Sequence, residues 1–278
     1  MRLCLGDRSY DLTTRALVMG ILNRTPDSFY DRGAFWDQDA FWRRADQVVA
    51  EGADLIDVGG VKAGPGPEVS EAEELERVVP AVEGLRRRFD RPVSVDTWRA
   101  SVAAESYSAG AVMGNDISGF ADPAYLPAAA AAGATVVATH IRLAPRVADP
   151  DPVYTGDDVV GAVAGALVEL AGRAAAAGIG PGRIVVDAGL DLGKTAEQSH
   201  ALLLASGRLA RLGYPLLLSA SHKTFLGWIL GLEVGERGQA SMAAHAIGIS
   251  LGCRMVRAHD VRSTCRVRDV LAAVCEAA

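Results

Sequence analysis

Apolar residues in this chain fall in short unbroken runs rather than in strict alternation. The runs are ALVMGIL (16–22), DLIDV (54–58), PVSVD (92–96), AVMGND (111–116), ATVVATH (134–140), RIVVDA (183–188), PLLLSAS (215–221) and RMVRAH (254–259). Runs of this kind predict strands buried on both faces, as parallel strands are. Between them, longer Ala-, Leu- and Arg-rich segments predict helices at 37–51, 70–89, 98–109, 123–132, 157–178, 196–212, 238–252 and 262–276. A glycine precedes several of the strands (Gly52, Gly110, Gly133, Gly178, Gly213 and Gly252), the residue expected where a helix ends and the chain turns back.

Eight strand–helix units in order, with no linker between them, predict a single (β/α)8 barrel of the TIM type spanning 1–278, with 1–15 as a lead-in hairpin beneath it. A length of 278 residues would suggest two domains at roughly 150 residues each, but α/β barrels reach this size as one. A doubly wound open sheet would need a dinucleotide or phosphate-loop fingerprint, and neither GxGxxG nor GxxxxGK[ST] occurs. The Pro- and Asp-rich stretch 141–156, after the fifth strand, is expected to be a loop on the active-site face.

Composition narrows the function classes. With 50% hydrophobic and 22% charged residues the chain is neither disordered nor of low complexity. A net charge of −6 with no basic block favours neither nucleic acid nor an anionic membrane surface. Cys4, Cys253, Cys265 and Cys275 lack metal-binding spacing and suit free thiols in a reducing compartment. The N-terminus lacks the apolar core of a secretion signal. The most apolar stretch, around 124–138, is interrupted by Pro127 and Gly133 and is too short to span a membrane. A cytoplasmic location is expected.

Of the 28 basic residues only three are lysines: Lys62, Lys194 and Lys223. A compact ammonium on a flexible stem differs chemically from a guanidinium fork, so these three are candidates for specific work. All three fall in loops after predicted strands.

In α/β barrels the reacting groups sit at the C-terminal strand ends. Here those ends carry Asn23, Asp57, Asp96, Asn115-Asp116, His140, Asp187, Ser221-His222-Lys223, Arg257 and His259. Asp116 and Thr97 suit local caps. Asp96, Asn115 and Asp187, at neighbouring mouths, offer donors and acceptors suited to the edge of a planar nitrogen heterocycle. Lys223, Arg257 and His259 supply positive charge for an anionic leaving group, Arg257 as a fork.

Seven segments in order then resemble one family. LVMGILNRTPDSFYDRG (17–33), GADLIDVGG (52–60), VSVDTWRA (93–100), GNDISG (114–119), DAGLDLGKT (187–195), SHKTFLG (221–227) and VRAHDV (256–261) are similar to the signatures of dihydropteroate synthases. That family joins a dihydropterin pyrophosphate to p-aminobenzoate and releases pyrophosphate. The resemblance implies a (β/α)8 barrel and pterin contacts at Asp96, Asn115, Asp187, Lys223 and Arg257. It implies pyrophosphate contacts at Asn23, Arg257 and His259, with Asn23 a Mg2+ ligand, and Thr224 near the p-aminobenzoate carboxylate. Asp96, Lys223, Arg257 and His259 are the implied catalytic groups. It further implies a homodimer, with 238–252 and 262–276 as interface candidates, and competition by sulfonamides, which mimic the second substrate.

Two loops depart from the family pattern. After DVGG the family usually has Glu-Ser-Thr-Arg-Pro-Gly, whereas this chain reads Val61-Lys62-Ala63-Gly64-Pro65-Gly66. Arg24 replaces a small apolar residue, and Tyr30, Asp31 and Arg32 lie in a changed first loop. Asp31, Lys62 and Ala63 are the loop candidates, and Lys62 with Arg24 or Arg32 could replace the missing loop arginine. These loops resemble a divergent second homologue of actinobacteria whose synthase activity is doubtful. A pterin-binding homologue with another acceptor, or without synthase activity, is therefore the alternative function. A catalytically silent partner protein is a third class. Pterin-dependent methyltransferase relatives would share the barrel and the Asp/Asn contacts but have no need of an SHK and RxH anion site.

Overall fold

The eight apolar runs close into a parallel barrel in the computed structural model, which describes residues 1–25, 38–64, 66–154 and 158–277. A two-stranded hairpin comes first, β1 (Arg2–Leu5) and β2 (Arg8–Asp11). The barrel strands are β3 (Leu17–Asn23), β4 (Leu55–Gly59), β5 (Val93–Asp96), β6 (Met113–Asp116), β7 (Thr135–Thr139), β8 (Ile184–Asp187), β9 (Leu216–Leu218) and β10 (Met255–Ala258). They run in chain order around the barrel, and β10 closes it by pairing with β3.

The helices are α1 (Gln38–Ala50), α2 (Glu71–Arg88), α3 (Ala100–Ser108), α4 (Tyr125–Ala131), α5 (Val159–Ala176), α6 (Ala196–Leu204), α7 (Ser206–Ala210), α8 (Thr224–Leu230), α9 (Gly238–Ser250) and α10 (Val261–Ala277). Local chemistry fixes several of their ends. Ser70 caps α2 through the Glu73 amide, and Thr195 and Gln198 form a reciprocal capping box on α6. The glycines expected before strands have positive φ, 98° at Gly52 and 109° at Gly252, a region costly for residues with a Cβ.

The lead-in forms the expected hairpin beneath the barrel. Leu3, Leu5 and Leu12 are buried in one cluster with Leu17, Leu55, Met113 and Met255, the first residues of four barrel strands. The Thr135 hydroxyl donates to the Cys4 carbonyl and ties hairpin to barrel. This plug covers the end of the barrel opposite the polar mouths.

Two sequence expectations are corrected. The predicted helix 196–212 is two helices broken at Ala205. The run 215–221 supplies only three strand residues, because the chain leaves the ladder at Ser219 to serve the mouth. Helix α5 is, among the described residues, long and apolar enough to cross a membrane. In the barrel its Val159, Val163, Leu167, Ala171 and Ala174 stripe is buried, and the helix packs on β7 and β8.

Helix α8 escaped the sequence reading altogether. TFLGWIL is seven residues of nearly unbroken apolar character, and no helical period can be distinguished in so short a run. It follows Lys223 directly and fixes the direction of the loop that carries it.

Candidate active site at the barrel mouth

Register brings the polar strand ends together. Asp96 on β5 pairs with Asn115 on β6, and Asp187 on β8 pairs with Thr139 on β7. Three strands thus present Asp96, Asn115 and Asp187 around one wall of the mouth. Arg257, near the end of β10, reaches across from the other side.

Arg257 is bound by two carboxylates. Its Nε donates to Asp57 Oδ2 at 2.6 Å and one terminal nitrogen donates to Asp96 Oδ2 at 2.7 Å. Asp57 also accepts from Asn115 Nδ2 at 3.2 Å. Asp57 is fully buried, so its charge depends on these donors. Asp57 sits mid-strand in β4, and its position alone assigns it no site role. The available signal was a carboxylate inside the apolar run DLIDV, which has to find a cation or a proton.

Asp187 is oriented from two sides. The Gly189 amide donates to Oδ1 at 2.7 Å and the Ser219 hydroxyl donates to Oδ2 at 2.8 Å. Gly189 has φ 65°, and a Cβ there would lie 1.9 Å from the His140 carbonyl oxygen, so only glycine fits this approach of the β8 loop to the end of β7. Ser219 is a second residue that sequence reasoning did not single out.

The mouth opens into two adjoining cavities, of about 200 and about 450 Å3. They share Ala63, Gly64, Asp96, Ser219, Lys223 and Arg257. The smaller lobe adds Asn23, Lys62, Ser221 and His259, a cationic and hydrogen-bonding lining suited to an anion. The larger adds Asn115, Asp187, Asp191, Lys194 and Thr224, together with residues 146–149 of the loop after β7. That loop therefore does lie on this face. It also touches loop 2 (residues 60–70), since Arg146 donates to the Pro67 carbonyl at 2.5 Å. Loop 2 is held at its ends by Arg77 on the Gly60 carbonyl and Arg99 on the Val69 carbonyl, both at 2.7 Å.

The predicted site residues Asn23, Asp96, Asn115, Asp187, Lys223, Thr224, Arg257 and His259 all line one lobe or both, as do Lys62 and Ala63. Asp116 and Thr97 serve local turns, accepting from the amides of Ser118 and Arg99. Arg24 does not line either lobe. Its guanidinium lies 5.0 Å from the Phe41 ring centre and borders a separate cleft with Gln38, Trp42 and Glu76, so of Lys62 and Arg24 only Lys62 lines the site. Asp31, Tyr30 and Arg32 lie outside the described residues.

Burial changes the protonation of the site. Burial pushes the Asp96 carboxyl up to about 7, with Arg257 opposing and the Asp57 carboxylate reinforcing the shift. Burial and the neighbouring Lys223 push the Lys194 amine down to about 7. The Lys223 amine is also lowered by burial, against the pull of Asp187 and Asp191. His259 is held well below the usual imidazole range, first by burial and then by the Arg257 charge, so it is neutral at pH 7. Ser221 Oγ lies 3.0 Å from its Nδ1 and accepts from its amide, which fixes the ring. His140 falls to about 3 by burial and the Lys194 charge, so it is neutral, with its ring centre 6.1 Å from that of Tyr154 and tilted to it by 41°.

All three scarce lysines face this mouth. Lys194 donates to the carbonyls of Leu192 at 3.0 Å and His140 at 3.3 Å, and Lys223 donates to the Leu190 carbonyl. These two amines are thus paired mainly with backbone oxygens and nearby carboxylates.

No cluster of three or more His, Cys, Asp or Glu side chains able to hold a metal ion occurs among the described residues. Asn23 contributes one neutral side-chain oxygen beside the anion-suited lobe. Such a donor fits Mg2+ only when substrate phosphate oxygens and water complete the shell, which is how Mg2+ is usually bound.

A family model described as pterin binding enzyme matches residues 19–259. A Mycobacterium leprae protein named inactive dihydropteroate synthase 2 is 44% identical over 94% of this chain and 91% of its own length. A Synechocystis dihydropteroate synthase is 40% identical over 96% of this chain and 94% of its own length. The crystal structure of Yersinia pestis dihydropteroate synthase in complex with a sulfonamide drug superposes with a TM-score of 0.94, at 37% identity, over the whole of both chains.

Proposed function

Because this chain belongs to the pterin-binding enzyme family, among dihydropteroate synthase homologues, we propose that it binds a dihydropterin pyrophosphate at the barrel mouth and transfers the pterin methyl carbon to an aryl amine. The reference acceptor is p-aminobenzoate. The observation that carries this reading is the pairing of two lobes: a carboxylate- and amide-lined cavity adjoins a cationic one, and Lys223 and Arg257 stand at the seam.

In this reading the pterin ring lies in the larger lobe. Asp187, oriented by Gly189 and Ser219, accepts two N–H groups from the ring edge. Asn115 and Asp96 meet the opposite edge, Lys223 donates to a ring acceptor, and Arg257 lies along the ring face. The pyrophosphate extends into the smaller lobe toward Asn23, Ser221, Lys62 and His259. Asn23, with the substrate's phosphate oxygens, would hold Mg2+, which supplies charge neutralisation for the leaving group.

The chemistry then needs no covalent enzyme intermediate. The bond from the methylene carbon to the bridging oxygen breaks, and its electron pair leaves with pyrophosphate, stabilised by Arg257 and Lys62. The cation left on the pterin is stabilised by Asp96 and its neighbouring carboxylate Asp57. The amine nitrogen forms the new C–N bond and loses one proton to solvent.

The second reading, a pterin-binding homologue with another acceptor or without synthase activity, is favoured by two observations. The mycobacterial relative at 44% identity is named inactive, and loop 2 presents Ala63 and Gly64 to both lobes, positions with no polar side chain. A homodimer accompanies either reading, with Ile247 on α9 and Val270 and Val274 on α10 as exposed apolar candidates for the interface.

The test is turnover. Protein, 6-hydroxymethyl-7,8-dihydropterin pyrophosphate, Mg2+ and p-aminobenzoate are mixed, and pyrophosphate release is followed. Release that depends on the amine and disappears in Lys223→Ala supports the synthase reading. Pterin binding without release on any aryl amine sinks it in favour of the second.

A further inference from the structure

Asp191 is a carboxylate placed at the acceptor end of the larger lobe. It lines that cavity beside Thr224, Leu192 and Lys194. Its Oδ2 accepts from the Thr224 amide at 2.5 Å and from the Phe225 amide at 3.4 Å. Ser199 Oγ donates to its other oxygen at 3.4 Å and accepts from its amide at 3.1 Å. The residue has φ 63°, in the left-handed region that aspartate enters only when its surroundings hold it there.

The wall around it carries further charge. Asp149 lines the same cavity and is paired through both oxygens with Arg142 at 2.5 Å. Arg146, the cation on that wall, is turned toward the Pro67 carbonyl. Lys194 lies beside Asp191 in this lobe, its amine lowered to about 7 by burial, and Lys223 stands at the seam; both donate to backbone carbonyls. A second anion arriving at Thr224 therefore meets a fixed carboxylate, and the two amides nearest to it already serve Asp191. Two like charges at contact distance repel, and more strongly against a protein wall than in bulk water.

We propose that Asp191 determines acceptor specificity, disfavouring aryl amines that end in a carboxylate and favouring those whose far end is neutral or a hydrogen-bond donor. This rests on the pterin-transfer reading, in which the acceptor amine sits at the seam and its far end points to Thr224. A para-carboxylate would be brought up against Asp191. A para-carboxamide would instead donate its N–H groups to it.

The experiment measures binding of p-aminobenzoate and p-aminobenzamide to protein loaded with Mg2+, pyrophosphate and 6-hydroxymethylpterin, by titration calorimetry. The protein is compared with Asp191→Asn, which keeps an acceptor for the Thr224 amide and tolerates positive φ. Asp191→Gly is the second variant, since glycine suits φ 63° and removes the charge entirely. The wild-type protein is expected to favour the amide by tenfold or more. Both variants are expected to tighten p-aminobenzoate by tenfold or more and to leave pterin affinity unchanged, while p-aminobenzamide, which loses its carboxylate acceptor, binds more weakly, most of all in Asp191→Gly. Equal binding of the two amines by the wild type, or an acid-to-amide ratio unmoved in both variants, overturns the proposal and leaves pterin transfer standing. Pterin binding with neither amine bound by any of the three proteins overturns the proposal together with transfer to an aryl amine.

Discussion

Arg257 Nε lies 2.6 Å from Asp57 Oδ2, and Asp57 is fully buried in the middle of the ladder strand that precedes loop 2. The same guanidinium also bonds Asp96. A charge so enclosed is stable only while its partner is present. Arg257→Met is therefore expected to lower the unfolding free energy by about 3–5 kcal/mol, the range for stranding one member of a buried pair. Asp57→Asn/Arg257→Met is expected to recover much of that loss, because the fully buried charge is gone and Asp96, whose carboxyl is already raised to about 7, can take up a proton. Urea denaturation at neutral pH separates the cases; equal stability of single and double variants would show that Asp57 is satisfied by other means.

Asp187 is the carboxylate best prepared to receive a ligand, with one oxygen oriented by an amide and the other by Ser219. Removing its charge should cost roughly 10–100-fold in affinity for 6-hydroxymethylpterin, as hydrogen bonds to charged groups are worth about 1.5–3 kcal/mol. Ser219→Ala removes only an orienting neutral bond, worth about 1 kcal/mol, so roughly fivefold is expected. Fluorescence titration of the pterin reads both. Binding unaffected by Asp187→Asn would remove this wall from the site.

The contrast between Asp187 and Ser219 shows what was legible in the sequence. Strand ends carrying Asp96, Asn115, Asp187, Arg257 and His259 could be read because continuous apolar runs mark strands and a barrel puts its chemistry at one end of them. The structure gathers all five at the mouth. Asp57 and Ser219 were harder, since their work is to hold other side chains and depends on contacts between residues far apart in the chain. Asp191 was hidden for a different reason. Its partners are amides of α8, a helix too short and too evenly apolar to leave a period in the sequence. Arg24, one of two candidates to replace the loop arginine, lies instead over the Phe41 ring, because position after a strand does not say which way a side chain turns.

Lys194 makes stability depend on pH. Its amine falls from the usual lysine value to about 7 in the folded protein. Between about pH 7 and 10.5 the unfolded chain binds the proton more strongly, so stability rises with pH across that window and the burial cost is fully present below it. Lys194→Met removes the titrating group. Its difference in unfolding free energy from the wild type is expected to be larger, in the variant's favour, at pH 7 than at pH 9.5. Denaturant curves at the two pH values check this. A difference independent of pH would mean that Lys194 is protonated throughout.

Lys62 is the cation that loop 2 offers to the smaller lobe. An ammonium facing a diphosphate across a partly open cavity acts through a screened Coulomb interaction. Lys62→Met is expected to weaken pyrophosphate binding by about tenfold at low salt, with the gap closing as ionic strength rises to 1 M, where the screening length is about 3 Å. Lys62→Arg should retain most of the affinity. Calorimetry across a salt series provides the measurement, and a loss that persists undiminished at high salt would argue for a packing role instead.

Gly189 joins the backbone of the β8 loop to the end of β7, and its two constraints can be separated. A Cβ at Gly189 would lie 1.9 Å from the His140 carbonyl oxygen, at φ 65°. Gly178 also has positive φ, at 96°, but a Cβ there meets nothing within 4 Å. Gly178→Ala should therefore cost only the conformational penalty, about 1–2 kcal/mol. Gly189→Ala must in addition push back a carbonyl that accepts from Lys194, while its own amide serves Asp187. It is expected to cost clearly more stability than Gly178→Ala and also to weaken pterin binding tenfold or more, which Gly178→Ala should not do. Thermal unfolding and pterin titration of the two variants side by side make the comparison, and equal costs would show that the β8 loop can move away from His140 without disturbing the carboxylate it orients.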